Sequence, residues 1–76
     1  MKFSELSKIL QSHQWVFIEE IYGVRNYRIV FDGEFWAIGR LNYDRIKDLP
    51  VRNIYSRESK GKSYIMIMLD ASNKEI

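Results

Sequence analysis

The sequence predicts an α+β fold in which an N-terminal helix packs on an antiparallel sheet of about five strands, in the order α-β-β-β-α-β-β. Residues 3–13 carry apolar side chains at helical spacing, whereas the later runs are rich in β-branched and aromatic residues. Asp32-Gly33 and Gly61 stand between such runs and predict tight hairpin turns. A small five-stranded barrel of SH3-like kind with an added helix satisfies the same order and is the alternative.

The first element is predicted to be a helix over residues 3–13. Its apolar residues recur at helical spacing and share one stripe: Phe3, Leu6, Ile9 and Leu10. Ser4 is the predicted N-cap, and Glu5 suits the first turn, where a carboxylate interacts favourably with the helix dipole. A helix with one apolar face has to bury that face, and the strands that follow provide the surface for it.

The first strand is predicted over residues 15–22, W-V-F-I-E-E-I-Y, which are too aromatic and β-branched to favour a helix. With Ile21 opposite Asn26, the loop Y-G-V-R joins this strand to the next, and Glu19 faces Arg28. The Asp-Gly pair then closes a two-residue turn. Three antiparallel strands therefore follow one another as a meander.

Strand alternation divides the side chains of this predicted meander between two faces. The richer face, to which we assign the helix, carries Val16, Ile18, Tyr27, Ile29, Phe31, Trp36 and Ile38, with Glu20 near its edge. The second face carries Trp15, Phe17, Glu19, Arg28, Val30, Phe35 and Ala37. Aromatic residues beside an arginine are typical of protein-binding hot spots, provided that no other element covers them.

A short helix is predicted after the meander. Asn42 is its expected cap, and Pro50 ends it. The apolar residues of this segment share one stripe: Tyr43, Ile46 and Leu49.

The C-terminal part predicts a second hairpin, with strands over residues 51–57 and 63–69 and Gly61 in the turn. The last strand is apolar on both faces, which favours a central position in the sheet. The tail that follows, residues 71–76, is predicted to fray.

Composition limits the size class of the chain and its chemistry. The 76 residues predict a single small globular domain, residues 1–76. With no Cys and one His, we expect no disulfide, metal site or cofactor. Twelve basic and ten acidic residues give a net charge of +2, which neither demands nor excludes nucleic acid. No segment resembles a signal peptide or a membrane span, so a cytoplasmic location without membrane contact is expected.

No catalytic motif is present in the sequence. His13 ends the predicted helix, where an imidazole can cap carbonyl groups, and no second His or Cys accompanies it. The serines lie in no nucleophile elbow, and the glycines are scattered singly rather than in a phosphate-binding loop. Glu19 and Glu20 point to opposite faces of a strand and cannot act together. We therefore expect a protein that is not an enzyme.

The opening M-K-F-S-E-L-S-K-I-L-Q-S-H-Q-W, followed by strands, resembles the start of the HicA-type mRNA-cleaving toxins. The resemblance covers about the first thirty residues and implies an α-β-β-β start. Those toxins cut RNA with a histidine at the start of the second strand, where this chain has Y-G-V-R-N-Y at residues 22–27. The resemblance therefore implies the arrangement of the first half of the chain and not the activity.

The predicted function is that of a non-enzymatic protein-binding module, such as a small inhibitor, adaptor or regulatory protein of the kind that phages and plasmids encode. The predicted partner-binding residues share the second face: Trp15, Phe17, Arg28, Val30 and Phe35. Another protein is the expected partner, and a homodimer through this face or through a free sheet edge fits every interpretation of the sequence.

Nucleic-acid binding is the alternative function. Arg52, Arg57, Lys60 and Lys62 cluster on the second hairpin and would neutralise phosphates of a nucleic-acid backbone. A solvated hairpin tip, kept charged to prevent edge-to-edge pairing, explains the same residues. A weaker alternative is an RNA-cleaving toxin that uses His13.

Overall fold

The computed structural model describes residues 1–72, which form two short α-helices, a 3₁₀ helix and four strands. In chain order the elements are α1 (Phe3–Ser7), β1 (Trp15–Ile21), β2 (Tyr27–Glu34), the 3₁₀ helix (Phe35–Ile38), α2 (Arg40–Ile46), β3 (Val51–Ser59) and β4 (Lys62–Asp70). The α+β class predicted from the sequence is confirmed. None of the helices within residues 1–72 is long and apolar enough to cross a membrane.

The strands form one open, mixed sheet in the order β2-β1-β4-β3. β1 pairs antiparallel with β2, β3 pairs antiparallel with β4, and a parallel pairing of β1 with β4 joins the two halves. The predicted antiparallel sheet of about five strands is therefore wrong in two respects, since there are four strands and the central pair is parallel. The alternative barrel is not formed either, because β2 and β3 are edges. The apolar strand β4 takes the central position that its sequence predicts.

The core lies between one face of the sheet and the helices. Its buried side chains come from both layers: Phe3, Leu6, Val16, Ile18, Ile38, Ile46, Ile67 and Leu69. The ring of Phe3 packs edge-on against Phe35, with centroids 6.3 Å apart, and against Tyr43 at 6.1 Å. Each fully buried side chain of this kind stabilises the fold by roughly 1.5–3 kcal/mol. Through these ring contacts α1 packs against the 3₁₀ helix and against α2.

The predicted hairpin at Asp32-Gly33 is wrong. β2 continues through both residues, which pair with β1. The chain turns only at the 3₁₀ helix, whose first two N–H groups donate to the carbonyls of Gln14 and Ser12 at 2.9 and 2.8 Å. The segment after β2 therefore bonds to the loop that precedes β1 and does not pair with the free edge of β2. The α-β-β-β start, which the toxin resemblance also implies, is therefore not formed.

The register of the first two strands differs from the prediction by one residue. Ile21 pairs with Tyr27, and Arg28 lies opposite Glu20 instead of Glu19. A shift of one residue moves each side chain of a strand to the other face. Tyr27, which the sequence placed in the core face, therefore lies on the face away from the helices.

A bulge in β2 then reverses the alternation again. Ile18 pairs with Phe31 and Glu19 pairs with Ile29, which leaves Val30 as an extra residue. Before the bulge, Ile29 points away from the core, contrary to the prediction. Beyond the bulge, Phe31 packs against the core as predicted.

The first helix is shorter than predicted. α1 ends at Ser7, so Ile9 of the predicted apolar stripe is 73% exposed. The N-cap is Lys2 rather than Ser4, and the backbone N–H of Lys2 donates to Oε1 of Glu5 at 2.9 Å. This hydrogen bond holds the pKa of Glu5 below its ordinary value.

The second helix begins before Asn42, its predicted cap. Its N-cap is Gly39, whose φ of 82° is unfavourable for residues with a side chain. The Nδ2 of Asn42, inside the helix, donates to the carbonyl of Ile38 at 3.0 Å. Ile46 is buried, as the apolar stripe predicts, and the helix ends before Pro50.

The second hairpin is confirmed. Its two-residue turn, Lys60-Gly61, has positive φ at both positions, 53° and 76°, as a type I′ turn requires. The predicted fraying tail lies outside the described residues from residue 73 onward. Its first residue, Ala71, is buried and donates its N–H to the carbonyl of Ile21 at 2.9 Å.

Candidate protein-binding face

One face of the sheet carries no helix within residues 1–72, because α1, the 3₁₀ helix and α2 all pack on the other. Pairing and alternation place side chains of all four strands on this helix-free side. We call it the open face, and its residues are Trp15, Phe17, Glu19, Ile21, Tyr27, Ile29, Asp32, Glu34, Asn53, Tyr55, Arg57, Ser59, Lys62, Tyr64, Met66, Met68 and Asp70. Exposed patches that contain many apolar residues mark interaction sites more often than chance.

The centre of the open face is a shallow depression of about 420 Å³. Its apolar lining residues are Phe17, Tyr27, Ile29, Tyr55, Tyr64 and Met66. Met66 is buried in its floor, whereas Tyr27, Ile29 and Tyr55 remain 62%, 53% and 44% exposed. A small domain that leaves side chains of this size in water has a surface suited to a partner.

Cross-strand pairing arranges the open face in rows that run across the sheet. One of these rows crosses all four strands close to the β3–β4 turn. In the order of the strands it consists of Glu34, Trp15, Tyr64 and Arg57. The two aromatic rings pack with centroids 5.7 Å apart, and the Nζ of Lys62 lies 3.9 Å from the centre of the Trp15 ring. This row therefore has a carboxylate at one edge, a guanidinium at the other, and an aromatic pair between them.

Charge is divided between the two halves of the open face. Asp32 and Glu34 lie on β2, and Glu19 lies beside them on β1. Arg57 lies on β3, and Lys60 occupies the turn that borders the depression. The β2–β1 half is therefore acidic. The β4–β3 half is basic near the β3–β4 turn, where Lys62 also lies, and Asp70 lies at the opposite end of β4.

His13 lies at the acidic edge of the open face. Its Nδ1 is 3.4 Å from Oε2 of Glu34, and its side chain is 84% exposed. The Nε1 of Trp36 donates to the same carboxylate, and this bond, followed by that of His13, holds the pKa of Glu34 below its ordinary value. Glu34 is therefore ionised at neutral pH. Within residues 1–72, no three acidic or histidine side chains come together as a metal site requires.

The structure divides the predicted partner-binding residues between the two sides of the sheet. Trp15 and Phe17 lie on the open face, as predicted. Arg28 is exposed on the other side, and Val30 and Phe35 pack against the core. The predicted surface therefore does not exist as one patch, because the bulge and the 3₁₀ helix redirect its second half. The tyrosines and Met66 take the place of the missing residues.

The four basic residues of the predicted nucleic-acid surface are also separated. Arg57, Lys60 and Lys62 surround the β3–β4 turn and are exposed. Arg52 lies in a bulge at the opposite end of β3. There the pKa of Asp70 is lowered chiefly by hydrogen bonds from Ser72, and Arg52 adds to this effect. Three cations thus lie together and the fourth does not.

A buried carboxylate connects α2 to the sheet on the helix side. Oε1 of Glu20, a fully buried residue, accepts hydrogen bonds from Nε of Arg45 at 3.1 Å and from the hydroxyl of Tyr22 at 3.0 Å. Nη2 of Arg45 also donates to the Tyr22 oxygen at 3.1 Å. The hydrogen bond to Glu20, followed by that to Tyr22, raises the pKa of Arg45. Sequence reasoning placed Glu20 near the edge of the core face, but no local pattern pointed to its partner on a distant helix.

Comparison of this chain with known protein families, with curated proteins and with solved structures finds no match. The resemblance of the opening residues to the HicA-type toxins thus receives no support from these comparisons. The function has to be inferred from the open face and its chemistry.

Proposed function

We propose that this protein is a non-enzymatic protein-binding module that uses the open face as its contact surface, as a small inhibitor, adaptor or regulatory protein does. The observation that carries the proposal is a complete sheet face, rich in aromatic and Met side chains, on which no helix of residues 1–72 packs. Tyr, Trp, Met and Arg are the residues enriched at protein interfaces, and all four types lie on this face.

The depression supplies anchor points for such a partner. An apolar side chain that enters it contacts Phe17 and Met66 beneath and the rings of Tyr27 and Tyr55 at its sides. These residues stand on strands whose backbone is already ordered, so little conformational entropy is lost on binding. The charges around the depression have both signs, which favours a protein partner over a uniformly anionic one.

Replacing Tyr55 with Ala is expected to weaken partner binding at least about tenfold, because aromatic anchors near the centre of an interface carry much of its affinity. Partners are first captured from an extract of the source cell on the immobilised wild-type protein. The affinity for the purified partner is then measured by calorimetry for the wild type and the variant.

Ile54 offers a matched control for this experiment. It is the neighbour of Tyr55 in β3 and is equally exposed, 43% against 44%, but it points to the other side of the sheet. Ile54→Ala is expected to leave the affinity unchanged, and both variants are checked by circular dichroism for the wild-type fold. Equal affinities of the two variants would show that the open face is not the contact surface.

Nucleic-acid binding at the β3–β4 turn is the second candidate function. The observation that favours it is that Lys62 and Arg57 border the aromatic pair of Trp15 and Tyr64. Bases of a single strand stack on such rings while cations neutralise phosphates. The acidic half of the open face would repel the phosphates of a nucleic-acid strand and so restrict its binding to the β3–β4 turn.

A salt titration distinguishes this candidate from the first. Three cations on a single strand predict a slope of about −2 for log K against log salt, from about −0.7 per phosphate. Affinity for a single-stranded oligonucleotide should therefore fall about twentyfold between about 50 and about 200 mM salt. Lys60→Gln is expected to make the slope shallower by about 0.7. Binding that does not change over this range excludes a phosphate-based mode.

A further inference from the structure

We infer that the open face pairs with the open face of a second copy of this chain, in a two-fold dimer whose axis runs parallel to the strands between the two sheets. The inference rests on the proposed function, because it names the partner of the same surface. It is carried by the distribution of charge across the open face, which is complementary to itself under this symmetry.

A two-fold axis parallel to the strands reverses the strand order of the second sheet. β2 of one copy then lies over β3 of the other, and β1 lies over β4. The rotation does not change positions along the strands, so each row of the open face lies over the same row of the other copy. Two sheets packed in this aligned manner lie about 10 Å apart and cross at roughly 30°, as in β-sandwiches.

The row nearest the β3–β4 turn shows the complementarity most clearly. Glu34 of one copy lies over Arg57 of the other, and the symmetry repeats this pair on the opposite edge. Between these pairs, Trp15 of one copy lies over Tyr64 of the other. Two opposite-charge pairs therefore flank the aromatic rings, and the Nζ of Lys62 lies beside each Trp15 ring.

Other arrangements of two copies lack this complementarity of charge. A two-fold axis perpendicular to the strands places β2 over β2 and brings the two acidic halves together, which is unfavourable. Side-by-side pairing of sheet edges leaves the depression in water. Both edge strands also contain a bulge, at Val30 in β2 and at Arg52 in β3, and bulges hinder the addition of a further strand.

The open face is large enough for a reversible dimer. Four strands about 4.8 Å apart and seven residues of about 3.3 Å each give a patch of roughly 19 by 23 Å. Its projected area of roughly 440 Å² is below the about 800 Å² per partner that specific interfaces of standard size bury, so the dimer belongs to the class of weak, transient interfaces. We therefore expect weak association, with a dissociation constant in the micromolar range or above.

Sedimentation of the wild-type protein between about 1 µM and about 1 mM is expected to show a monomer–dimer equilibrium. Arg57→Glu and Glu34→Lys are each expected to raise the dissociation constant at least about tenfold, because like charges then meet twice in each homodimer. An equimolar mixture of these two variants is expected to associate within about threefold of the wild type, since each pair is again of opposite sign. Arg40→Glu, an exposed charge reversal on α2, is the control and leaves the constant unchanged.

Glu34 also contacts Trp36 and His13, so a second acidic variant guards against a local loss of structure. In Asp32→Lys, one row further along β2, the new lysine lies diagonal to position 57 of the other copy, so a mixture with Arg57→Glu is expected to recover part of the association. Circular dichroism verifies the fold of each variant. Failure of both mixtures to recover association would overturn the proposed pairing. A wild-type protein that stays monomeric at about 1 mM would also overturn it. The proposed protein-binding function would then depend on the Tyr55 capture experiment alone.

Discussion

Replacing Arg45 with Met is expected to lower the free energy of unfolding by about 3 kcal/mol. The substitution keeps an aliphatic stem but removes the guanidinium that donates to Glu20, whose side chain is fully buried. Leaving a buried carboxylate without its cation is strongly destabilising, because the remaining hydrogen bonds offset its desolvation less fully. The side chain of Arg45 is itself 39% exposed, so the expected value lies at the lower end of the usual range. Urea unfolding followed by circular dichroism measures it.

Arg40 on the same helix provides the matched control. Its side chain is 92% exposed, and its Nε lies 3.8 Å from Oδ2 of Asp44, a surface ion pair. Arg40→Met is therefore expected to change the unfolding free energy by less than about 0.5 kcal/mol. Adding Glu20→Gln to Arg45→Met is expected to recover part of the loss, because the amide carries no charge. Equal losses in the two single variants would mean that the buried pair contributes no more than the surface pair.

Replacing Phe3 with Ala is expected to cost about 3–5 kcal/mol of unfolding free energy. The side chain is fully buried, and its ring contacts the rings of Phe35 and Tyr43, so its removal leaves a cavity between α1 and α2. A domain of this size has a small stability margin, and the loss is expected to unfold a large fraction of the molecules at 25 °C. Thermal and urea unfolding of the variant measure the effect.

Ile9 is the control for Phe3, because both belong to the apolar stripe predicted for the first helix. In the structure Ile9 lies beyond α1 and is 73% exposed, so Ile9→Ala is expected to cost less than about 0.5 kcal/mol. A loss as large as that of Phe3→Ala would contradict the end of the helix at Ser7.

Local chemistry predicts one of the two glycine turns correctly and fails at the other. Lys60-Gly61 joins β3 and β4, which pair directly with each other. Both residues adopt the positive φ that the turn needs. At Gly33, by contrast, an added Cβ would lie 3.2 Å from Cζ of Phe31. This glycine serves the close approach of an aromatic ring to the strand rather than a turn. In both cases a glycine stands between two runs of strand-forming residues, and only the tertiary contact distinguishes the two positions.

The open face is predictable from the sequence only in part. Trp15 and Phe17 follow from the alternation within β1, which local residues determine. The side on which Tyr55 and Met66 lie depends on the placement of β4 beside β1, a pairing that joins residue 15 to residue 64. The bulge at Val30 adds a second uncertainty, because no residue type marks it in the sequence. Contacts between distant segments therefore decide the surface on which the proposed function depends.

The parallel contact between β1 and β4 also determines the order in which the chain can fold. Each of the two halves contains an antiparallel pair of neighbouring strands, which forms from local contacts within microseconds. The core closes only when β4, the last strand in the sequence, reaches β1 across the intervening chain, and the entropy of closing so long a loop slows this step. A chain still being synthesised therefore cannot close its core until Lys62–Asp70 has emerged. During that interval its apolar strands are exposed to aggregation, and β4 completes the sheet when it pairs with β1.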